Sequence, residues 1–395
     1  MLPLQACKDL EELDLAQYDP WAEMPGHIGR TGIEAVAQCR KLQRLSLADL
    51  TVETLEPLIT LSALTHLHIT CTARHHLFHE LGQMSQLSTL SLITINTNDT
   101  PVSATEMQAL CGAKQLASVQ LYGRFAADAL RPLQQLHHMC ELDISAITDA
   151  HMQALSTMTQ LRRLRLVDSS VTAEGLHLLG RLTKLEVLDI AQSAISDQAL
   201  AALGSLHQLR TLNLSYTSIT GTGLHILPEL IHLQELYGVG SLFHDQAIQY
   251  ISACPSLRVL RLSYVGTNPQ CFRGFKNLQA LVELSIEGVP PEGLLFVQHL
   301  QELVALSIVQ STLTLADIAA LSRLPKLAYL ACSAVTFPDE AWQYIQELTH
   351  LHTLKLHDVA VNETQRRLIH SLPMLQTCIL DGEDIYVSGR TLYGR

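Results

Sequence analysis

The sequence predicts an α/β solenoid of about sixteen repeats, a horseshoe with a concave parallel β-sheet and convex short helices. The first reason is a motif, LxxLxL with other aliphatic residues tolerated, whose first position recurs sixteen times between Leu10 and Leu375. The second is its spacing, because thirteen of the fifteen intervals are 22 to 24 residues long. The third is the 47% hydrophobic content, which excludes a disordered chain.

The repeat at positions 185–208 shows how one unit is expected to fold. Its first six residues, LEVLDI, alternate as a strand with one buried face does. Ser196 and Asp197 follow as residues that cap the start of a helix, and Leu200, Leu203 and Leu206 then form an apolar stripe. Because strands stack about 4.8 Å apart and helices are about 10 Å wide, the stack is expected to bend with its strands inside.

Two further positions of the repeat predict buried groups. The ninth residue is often Ser or Thr, and we expect its hydroxyl to bond the backbone of the turn; the examples are Ser169, Ser193, Thr217, Ser241 and Ser311. Three of the nine cysteines, Cys7, Cys39 and Cys254, occupy a position that is elsewhere Leu or Met. Cysteine there is expected to act as a small core residue and not in a disulfide framework.

The repeat pattern predicts a single domain over residues 1–395 with two irregular loop insertions and a C-terminal cap. The 32-residue interval places one loop at 16–32, which contains Trp21, and the 29-residue interval places another at 93–105. Ser103 or Thr105 is expected to cap the helix after the second loop. Residues 381–395 are expected to cover the end of the stack.

The amino-acid sequences of the repeats resemble those of the leucine-rich repeat (LRR) family, specifically the GALA-type subclass. The segments that carry the resemblance are VTAEGLHLLGRLTKL, ISDQALAALGSLHQL and ITGTGLHILPELIHL. The resemblance implies an effector of the kind that bacterial pathogens deliver into host cells. Some members of the subclass carry an F-box before the repeats, which links them to a host ubiquitin ligase. Here the first motif begins at Leu10, and we expect no F-box.

Charge and hydropathy restrict the class of partner. With 26 Lys and Arg against 38 Asp and Glu, the net charge is −12, which argues against a nucleic-acid partner. No run of eighteen apolar residues occurs, so we expect no membrane insertion. The N-terminal segment lacks the pattern of a Sec-type signal peptide. The expected location is the cytoplasm of the producing cell or, after delivery, the host cytosol, and the expected state is a monomer.

The sequence offers no pattern that calls for catalysis, a cofactor or a metal ion, so we expect no enzyme. GxSxG, GxGxxG and GxxxxGK[ST] are absent. A histidine-rich segment, THLHITCTARHHLFHE, contains His75 and His79 at a spacing that could hold a metal on a helix. His66 and His68 belong to a strand on the other side of the layer, so a structural or solvated cluster is the favoured interpretation.

The remaining candidate is the concave face, where Tyr, Arg and acidic residues alternate. Tyr and Arg are enriched at binding hot spots, and mixed charge favours a protein partner. The predicted partner-binding residues are Glu141, Asp143, Arg163, Arg165, Asp189, Arg210, Asn213, Tyr216, Glu235, Tyr237, Arg258, Arg261, Tyr264 and Glu283. Trp21 is a candidate contact on the edge loop.

The function expected from these observations is a non-catalytic protein–protein interaction scaffold, an effector that binds a host protein or another effector. The alternative is a substrate adaptor for a host ubiquitin ligase that acts with a separately encoded F-box or Skp-like protein. A metal-dependent enzyme built on the histidine-rich segment is a third hypothesis, and it requires stoichiometric zinc in the purified protein.

Overall fold

The structure, a computed structural model, describes residues 7–15, 28–50, 54–72, 77–95, 101–166, 168–263, 268–381 and 383–386. It divides into two compact units, Met1–Ala194 and Ile195–Arg395, which are described separately. Each unit alternates short strands with short helices, as the repeat pattern predicts. Trp21, Tyr264, His75 and His76 lie outside the described residues.

Unit 1 contains parallel strands in chain order, each paired with the next. The strands are β1 Glu12–Leu15, β2 Arg44–Leu50, β3 His66–Thr72, β4 Thr89–Ile95, β5 Ser118–Tyr122, β6 Glu141–Ile144, β7 Arg163–Arg165 and β8 Val187–Asp189. The α-helices are α1 Arg30–Val36, α2 Leu77–Gln83, α3 Ala104–Leu110, α4 Asp149–Leu155 and α5 Ala173–His177. Short 3₁₀ helices cover Glu56–Thr60, Arg131–Gln135 and Leu178–Arg181.

Unit 2 repeats the arrangement, with parallel pairing in chain order and one antiparallel strand, β17, at its end. The strands are β9 Thr211–Asn213, β10 Glu235–Gly238, β11 Val259–Leu262, β12 Glu283–Glu287, β13 Ala305–Val309, β14 Tyr329–Ser333, β15 Thr353–His357, β16 Thr377–Leu380 and β17 Glu383–Tyr386. The α-helices are α6 Asp197–Leu200, α7 Asp245–Ile251, α8 Leu315–Leu321, α9 Trp342–Ile345 and α10 Glu363–His370. The 3₁₀ helices are Ala201–Ser205, Thr222–Glu229, Pro269–Asn277, Leu295–His299 and Asp339–Ala341.

The strand register follows the motif. The fourth residues of successive motifs face one another, as Leu212, Leu236 and Leu260 do in unit 2 and Leu142 and Leu164 do in unit 1. All five are buried, with at most 1% of their surface exposed. Burial of this leucine row holds together single repeats, none of which could fold alone. The predicted α/β repeat architecture is therefore confirmed.

The helical part of the repeat is shorter and tighter than predicted. In the repeat at 185–208 the α-helix ends at Leu200, and a 3₁₀ helix continues over Ala201–Ser205. Leu200, Leu203 and Leu206 are all fully buried. A spacing of three residues matches the 3₁₀ period better than the α-helical period, so the leucine pattern itself explains the change.

Hydrogen bonds between repeats confirm one prediction about side chains and correct another. Each ninth-residue hydroxyl bonds turn backbone: Ser241 Oγ donates to the Leu214 carbonyl at 2.9 Å, and Ser311 Oγ accepts the Val289 N–H at 3.0 Å. The side chain of Ser196 was expected to cap α6, but it makes no capping hydrogen bond. The neighbouring Asp197 instead reaches the next repeat, where backbone groups offer donors that its own short helix does not.

The insertions and the C-terminal segment are only partly described. Of residues 16–32, only 28–32 are described, and α1 already begins at Arg30. In the 93–105 segment, β4 continues to Ile95, and Ser103 caps α3 through a capping box with Glu106, as expected. Of residues 381–395, Asp381 and 383–386 are described.

The cysteine prediction holds for two of its three residues. Cys39 and Cys254 are buried, and burial raises the pKa of the Cys254 thiol to about 12. Cys7 is exposed, contrary to expectation. It lies in the first described repeat, which only one neighbouring repeat among the described residues covers.

Candidate functional site

The face of each sheet that remains accessible is formed by the third and fifth residues of the repeats, and in some repeats by the seventh, and we call it the open sheet face. Along β10 the burial alternates, so that Glu235 and Tyr237 are partly exposed while Leu236 and Gly238 are buried. The same alternation holds in β6, where Glu141 and Asp143 are accessible. The predicted partner-binding residues of the described strands occupy this face or its edges, and they fall into one group in each unit.

In unit 1 the fifth residues of six neighbouring strands form one continuous hydrogen-bonded row, which we call the polar row. Its members, from β3 to β8, are His68, Ser91, Gln120, Asp143, Arg165 and Asp189. The Ser91 hydroxyl donates to Gln120 Oε1 at 2.6 Å and lies 2.8 Å from His68 Nδ1. Because the Ser91 proton is already donated, His68 Nδ1 carries the proton of the second bond.

The acidic end of the polar row is centred on Arg165. Its guanidinium donates to Asp143 Oδ2 at 3.1 Å and to Asp189 Oδ2 at 3.2 Å. Partial burial tends to lower the pKa of Arg165, but the two carboxylates outweigh burial and raise it. Asp143 Oδ2 also accepts from Tyr122 and Gln120, at 2.9 and 3.1 Å. Asp143 Oδ2 and Asp189 Oδ2 are thus engaged by neighbouring side chains, whereas Asp143 Oδ1 is buried with no hydrogen-bond partner among the described residues.

The third-residue pair of unit 1 is more exposed. Arg163 Nε lies 3.3 Å from Glu141 Oε1, and the two side chains are 63% and 41% exposed. Exposed pairs of this kind add little to stability because water competes for both charges. Glu141 and Arg163 therefore remain available to an incoming group.

In unit 2 the predicted residues meet in a cluster of two acids, one arginine and one tyrosine, which we call the Tyr237 cluster. The Tyr237 hydroxyl donates to Glu235 Oε2 at 3.1 Å, and Thr211 Oγ1 donates to the same oxygen at 3.1 Å. The Arg261 guanidinium lies 5.7 Å from the centroid of the Tyr237 ring, within cation–π range, and its Nε donates to Glu283 Oε1 at 2.8 Å. Burial, followed by the charge and hydrogen bond of Glu235, raises the pKa of Tyr237 to about 12.

Tyr216 lies in the turn three residues after β9 and is 59% exposed. Its backbone is left-handed, with φ of 55°, and its ring packs on Gly240 of the next repeat, where a Cβ would lie 2.3 Å from the ring. Leu242, two residues further on, is 62% exposed. Tyr216, the eighth residue of its repeat, thus projects an aromatic ring at the edge of the sheet. The sequence analysis predicted Tyr216 as a contact residue but did not single out Leu242.

The other predicted residues of unit 2 are placed at the margins of the face. Asn213 accepts the Ser215 N–H at 3.0 Å and so orients the turn after β9. Arg210 and Arg258 are exposed at the second position of their repeats, just before β9 and β11. Tyr264 and the loop residue Trp21 lie outside the described residues, and no position is assigned to them.

The structure adds a groove on the open sheet face of unit 2 that the site prediction missed. It has a volume of about 440 Å³ and lies over β11 to β14; its lining residues include Arg261, Glu283, Ser285, Ala305, Ser307 and Tyr329. Lys355 Nζ lies 5.6 Å from the centroid of the Tyr329 ring. Tyr329 and Lys355 occupy the third and fifth positions of their repeats, so the sequence carried this signal. The small residues that form the floor gained a meaning only when the strands were placed side by side.

The histidine-rich segment does not assemble a metal site from its described residues. His68 is engaged by Ser91, and Thr65 Oγ1 lies 2.9 Å from His66 Nδ1, both in or beside the β3 strand, whereas His79 lies on α2. In the described part of the chain, one group of residues brings three ligand-type atoms together, His357, Asp358 and Asp381, and all three are exposed.

None of the helices that the described residues form has the length and apolar character needed to traverse a lipid bilayer.

The solved structures to which the chain is similar include two bacterial proteins. An internalin from Listeria monocytogenes matches with a TM-score of 0.59 and 18% sequence identity, over 84% of this chain and 94% of the internalin. An LRR protein of Leptospira interrogans matches with a TM-score of 0.58 and 18% identity, over 96% of this chain and 97% of that protein. No protein-family model and no curated protein matches the sequence. The structural matches show that the chain has the leucine-rich repeat fold.

Proposed function

We propose that the protein is a non-catalytic scaffold that binds a protein partner on the open sheet face of unit 2. The observation that carries the proposal is the Tyr237 cluster, in which an aromatic ring, an arginine and two carboxylates share one part of a preformed sheet. Tyr and Arg dominate binding hot spots because each gives a large contact area together with directed polar contacts. A face already held by strand pairing loses little conformational entropy on binding.

The proposal extends to the biological class, and here its support is the resemblance of the repeats to GALA-type repeats. On that basis the protein is a bacterial effector whose partner is a host protein or another effector, and its mode of action is occlusion or recruitment of that partner. The mixture of charges in the Tyr237 cluster fits a protein epitope better than a uniformly charged polymer.

The test compares partner binding by the full chain and by Tyr237→Ala/Arg261→Ala. Both proteins are immobilised and exposed to host lysate. Mass spectrometry then identifies the proteins that the original chain retains and the double variant does not. With one such purified partner, the double variant is expected to raise Kd by about 30- to 1000-fold, the equivalent of about 2–4 kcal/mol. Its melting temperature should be unchanged.

Tyr250→Ala/Arg273→Ala is the matched control, since it removes the same two side-chain types from the helical side of unit 2. It should leave Kd unchanged. Equal affinity of both double variants and the original chain would show that the Tyr237 cluster is not the binding site. Recovery of ubiquitin-ligase subunits with the original chain would favour the adaptor hypothesis.

A further inference from the structure

The groove beside the Tyr237 cluster has walls of large side chains and a floor of small ones. Arg261 and Glu283 form one wall and Tyr329 the other, while Ser285, Ala305 and Ser307 line the space between them. Across the described residues, neither the Ser285 nor the Ser307 hydroxyl is engaged by another protein group. The floor therefore offers two unengaged hydroxyls, which can both donate and accept hydrogen bonds.

The width of the groove selects the form of its occupant. Arg261 and Tyr329 lie on β11 and β14, three strand spacings apart, so their backbones are separated by about 14 Å. The wall side chains take up part of that width, and an α-helix needs about 10–12 Å. An extended segment that inserts one side chain fits the remaining space, and its backbone amides can bond the two serine hydroxyls.

The charges around the groove select the chemistry of the occupant. Arg261 is neutralised by Glu283, whose Oε1 lies 2.5 Å from Arg261 Nη2. Lys355, beside the Tyr329 wall, has no carboxylate within 4 Å among the described residues, and its ammonium faces the aromatic ring. Glu287 ends β12 and Asp358 follows β15; neither lines the groove, and Lys355 itself reaches it only through its contact with the Tyr329 ring. Glu235 of the Tyr237 cluster, on β10, is also outside the lining. Among the described residues that line the groove or contact its Tyr329 wall, the charged group without an opposite partner is therefore the Lys355 ammonium.

We propose that this groove binds an extended acidic segment of the protein partner. One apolar or aromatic side chain of that segment lies against Tyr329 over Ser307, and a neighbouring Asp or Glu pairs with Lys355. This inference rests on the proposed function and adds to it the form and charge of the bound segment. The cation–aromatic contact holds Lys355 over the ring, and an arriving carboxylate can pair with the ammonium from the groove side.

The experiment uses a library of random twelve-residue peptides displayed on phage and selected against the full chain. Enriched sequences are expected to combine an aromatic or large aliphatic residue with Asp or Glu. Their synthetic peptides should bind Lys355→Gln at least tenfold more weakly, and Lys355→Glu more weakly still. Ser307→Phe, which fills the groove, should also weaken binding at least tenfold.

Two controls separate the groove from general effects of charge and bulk. Lys326→Gln removes a lysine that pairs with Glu302, and Ser256→Phe adds the same bulk at an exposed site outside the groove. Neither should change peptide affinity. Peptides that are basic, or that bind Lys355→Gln and Ser307→Phe as tightly as the original chain, overturn the inference, as does a library that yields no binder.

The same peptides distinguish this inference from the proposed function. If their binding depends on Tyr237 but on neither Lys355 nor Ser307, the Tyr237 cluster is the binding site and the groove is not. If a natural partner is lost from Tyr237→Ala/Arg261→Ala while Lys355→Gln retains it at full affinity, the proposed function stands and the acidic-segment inference fails.

Discussion

The carboxylate of Asp197 accepts two hydrogen bonds from Thr220 in the following repeat, from the backbone N–H at 3.0 Å and from the hydroxyl at 2.7 Å. The N–H groups of Gly221 and Gly223 donate to its other oxygen at 3.0 and 2.7 Å. At Gly223 a Cβ would lie 2.4 Å from the Asp197 carbonyl oxygen, so this close approach requires glycine. Asp149 binds Thr172 in the same way in unit 1, at 2.8 and 2.6 Å. A charged side chain thus links consecutive repeats.

Asp197→Asn is expected to lower the free energy of unfolding at pH 7 by about 1–3 kcal/mol, because an amide cannot accept all four bonds. Burial opposes ionisation of Asp197, but the hydrogen bonds outweigh it and lower its pKa. This contribution is therefore complete above the ordinary aspartate pKa of 3.8 and is lost as the pH falls through the lower folded value. Urea unfolding at pH 7 and at pH 3 measures both effects.

Asp128→Asn serves as the control, since Asp128 is exposed at the start of its turn. It should change the free energy of unfolding by less than about 0.5 kcal/mol. An equal loss in both variants would contradict the role assigned to Asp197.

Arg165→Ala should destabilise the protein more than Arg163→Ala, although both arginines lie on β7. Removing Arg165 leaves the side chains of Asp143 and Asp189, which are only 15% and 13% exposed, without their cation. We expect a loss of about 1–3 kcal/mol for Arg165→Ala and about 0.5 kcal/mol or less for Arg163→Ala, whose partner is well exposed. Thermal unfolding at low and high salt compares the two; similar losses would refute the prediction.

His151→Ala should cost more stability than His151→Gln. His151 is 3% exposed; its Nδ1 accepts the Thr148 N–H at 3.1 Å, so Nε2 carries the proton and donates to the Ala126 carbonyl at 3.1 Å. Alanine loses both contacts, for which we expect about 1–3 kcal/mol, whereas glutamine can still accept from Thr148 as in an ordinary capping box. Denaturant unfolding gives the order, and a reversed order would contradict the assigned role of Nδ1.

Leu188→Ala should lower the free energy of unfolding by about 2–5 kcal/mol, because Leu188 is fully buried and its removal leaves a cavity. Leu242→Ala makes the same chemical change at a side chain that is 62% exposed, and it should cost about 0.5 kcal/mol or less. Differential scanning calorimetry of both variants checks the contrast. Comparable losses would mean that the fourth-residue row does not form the core.

Glu235→Gln should lower the pKa of Tyr237 from about 12 toward the ordinary value of 10, because one negative charge that opposes ionisation is removed. Arg261→Gln should act in the opposite direction, since the guanidinium favours the tyrosinate. Absorbance titration at about 295 nm, with the Tyr237→Phe curve subtracted, isolates this tyrosine. Shifts of the same sign in both variants would contradict the described geometry of the cluster.

The leucine spacing alone was sufficient to predict the strand register and the core. A motif repeated every 22–24 residues places Leu212 beside Leu236 and Leu260, because a slip of one residue would expose the leucines and bury Asn213, Tyr237 and Arg261. The ninth-residue hydroxyls were predictable for a similar reason, since a buried Ser241 or Ser311 must find a backbone partner. These predictions depend on the period of the repeat and on which of its positions must be buried, and both can be obtained from the sequence.

The candidate site was predictable only in part. The fifth position of the repeat placed Tyr237 and Arg261 on the accessible face, but their contact depends on the rotamers that both side chains adopt. The role of Asp197 was misassigned to its own helix, because a sequence shows the nearest backbone donors and not those of the next repeat.

The amino-acid order by itself determined the repeat, the alternation of strand and short helix, and the row of apolar residues that each repeat must bury. Only the tertiary structure decided that six polar side chains from His68 to Asp189 share one hydrogen-bonded row, and that Ser285 and Ser307 form the floor of a groove beneath Tyr329. The reason is distance along the chain, because residues of neighbouring strands in these two sites are 22 to 29 positions apart. Only the parallel pairing of those strands brings their backbones within about 4.8 Å of each other.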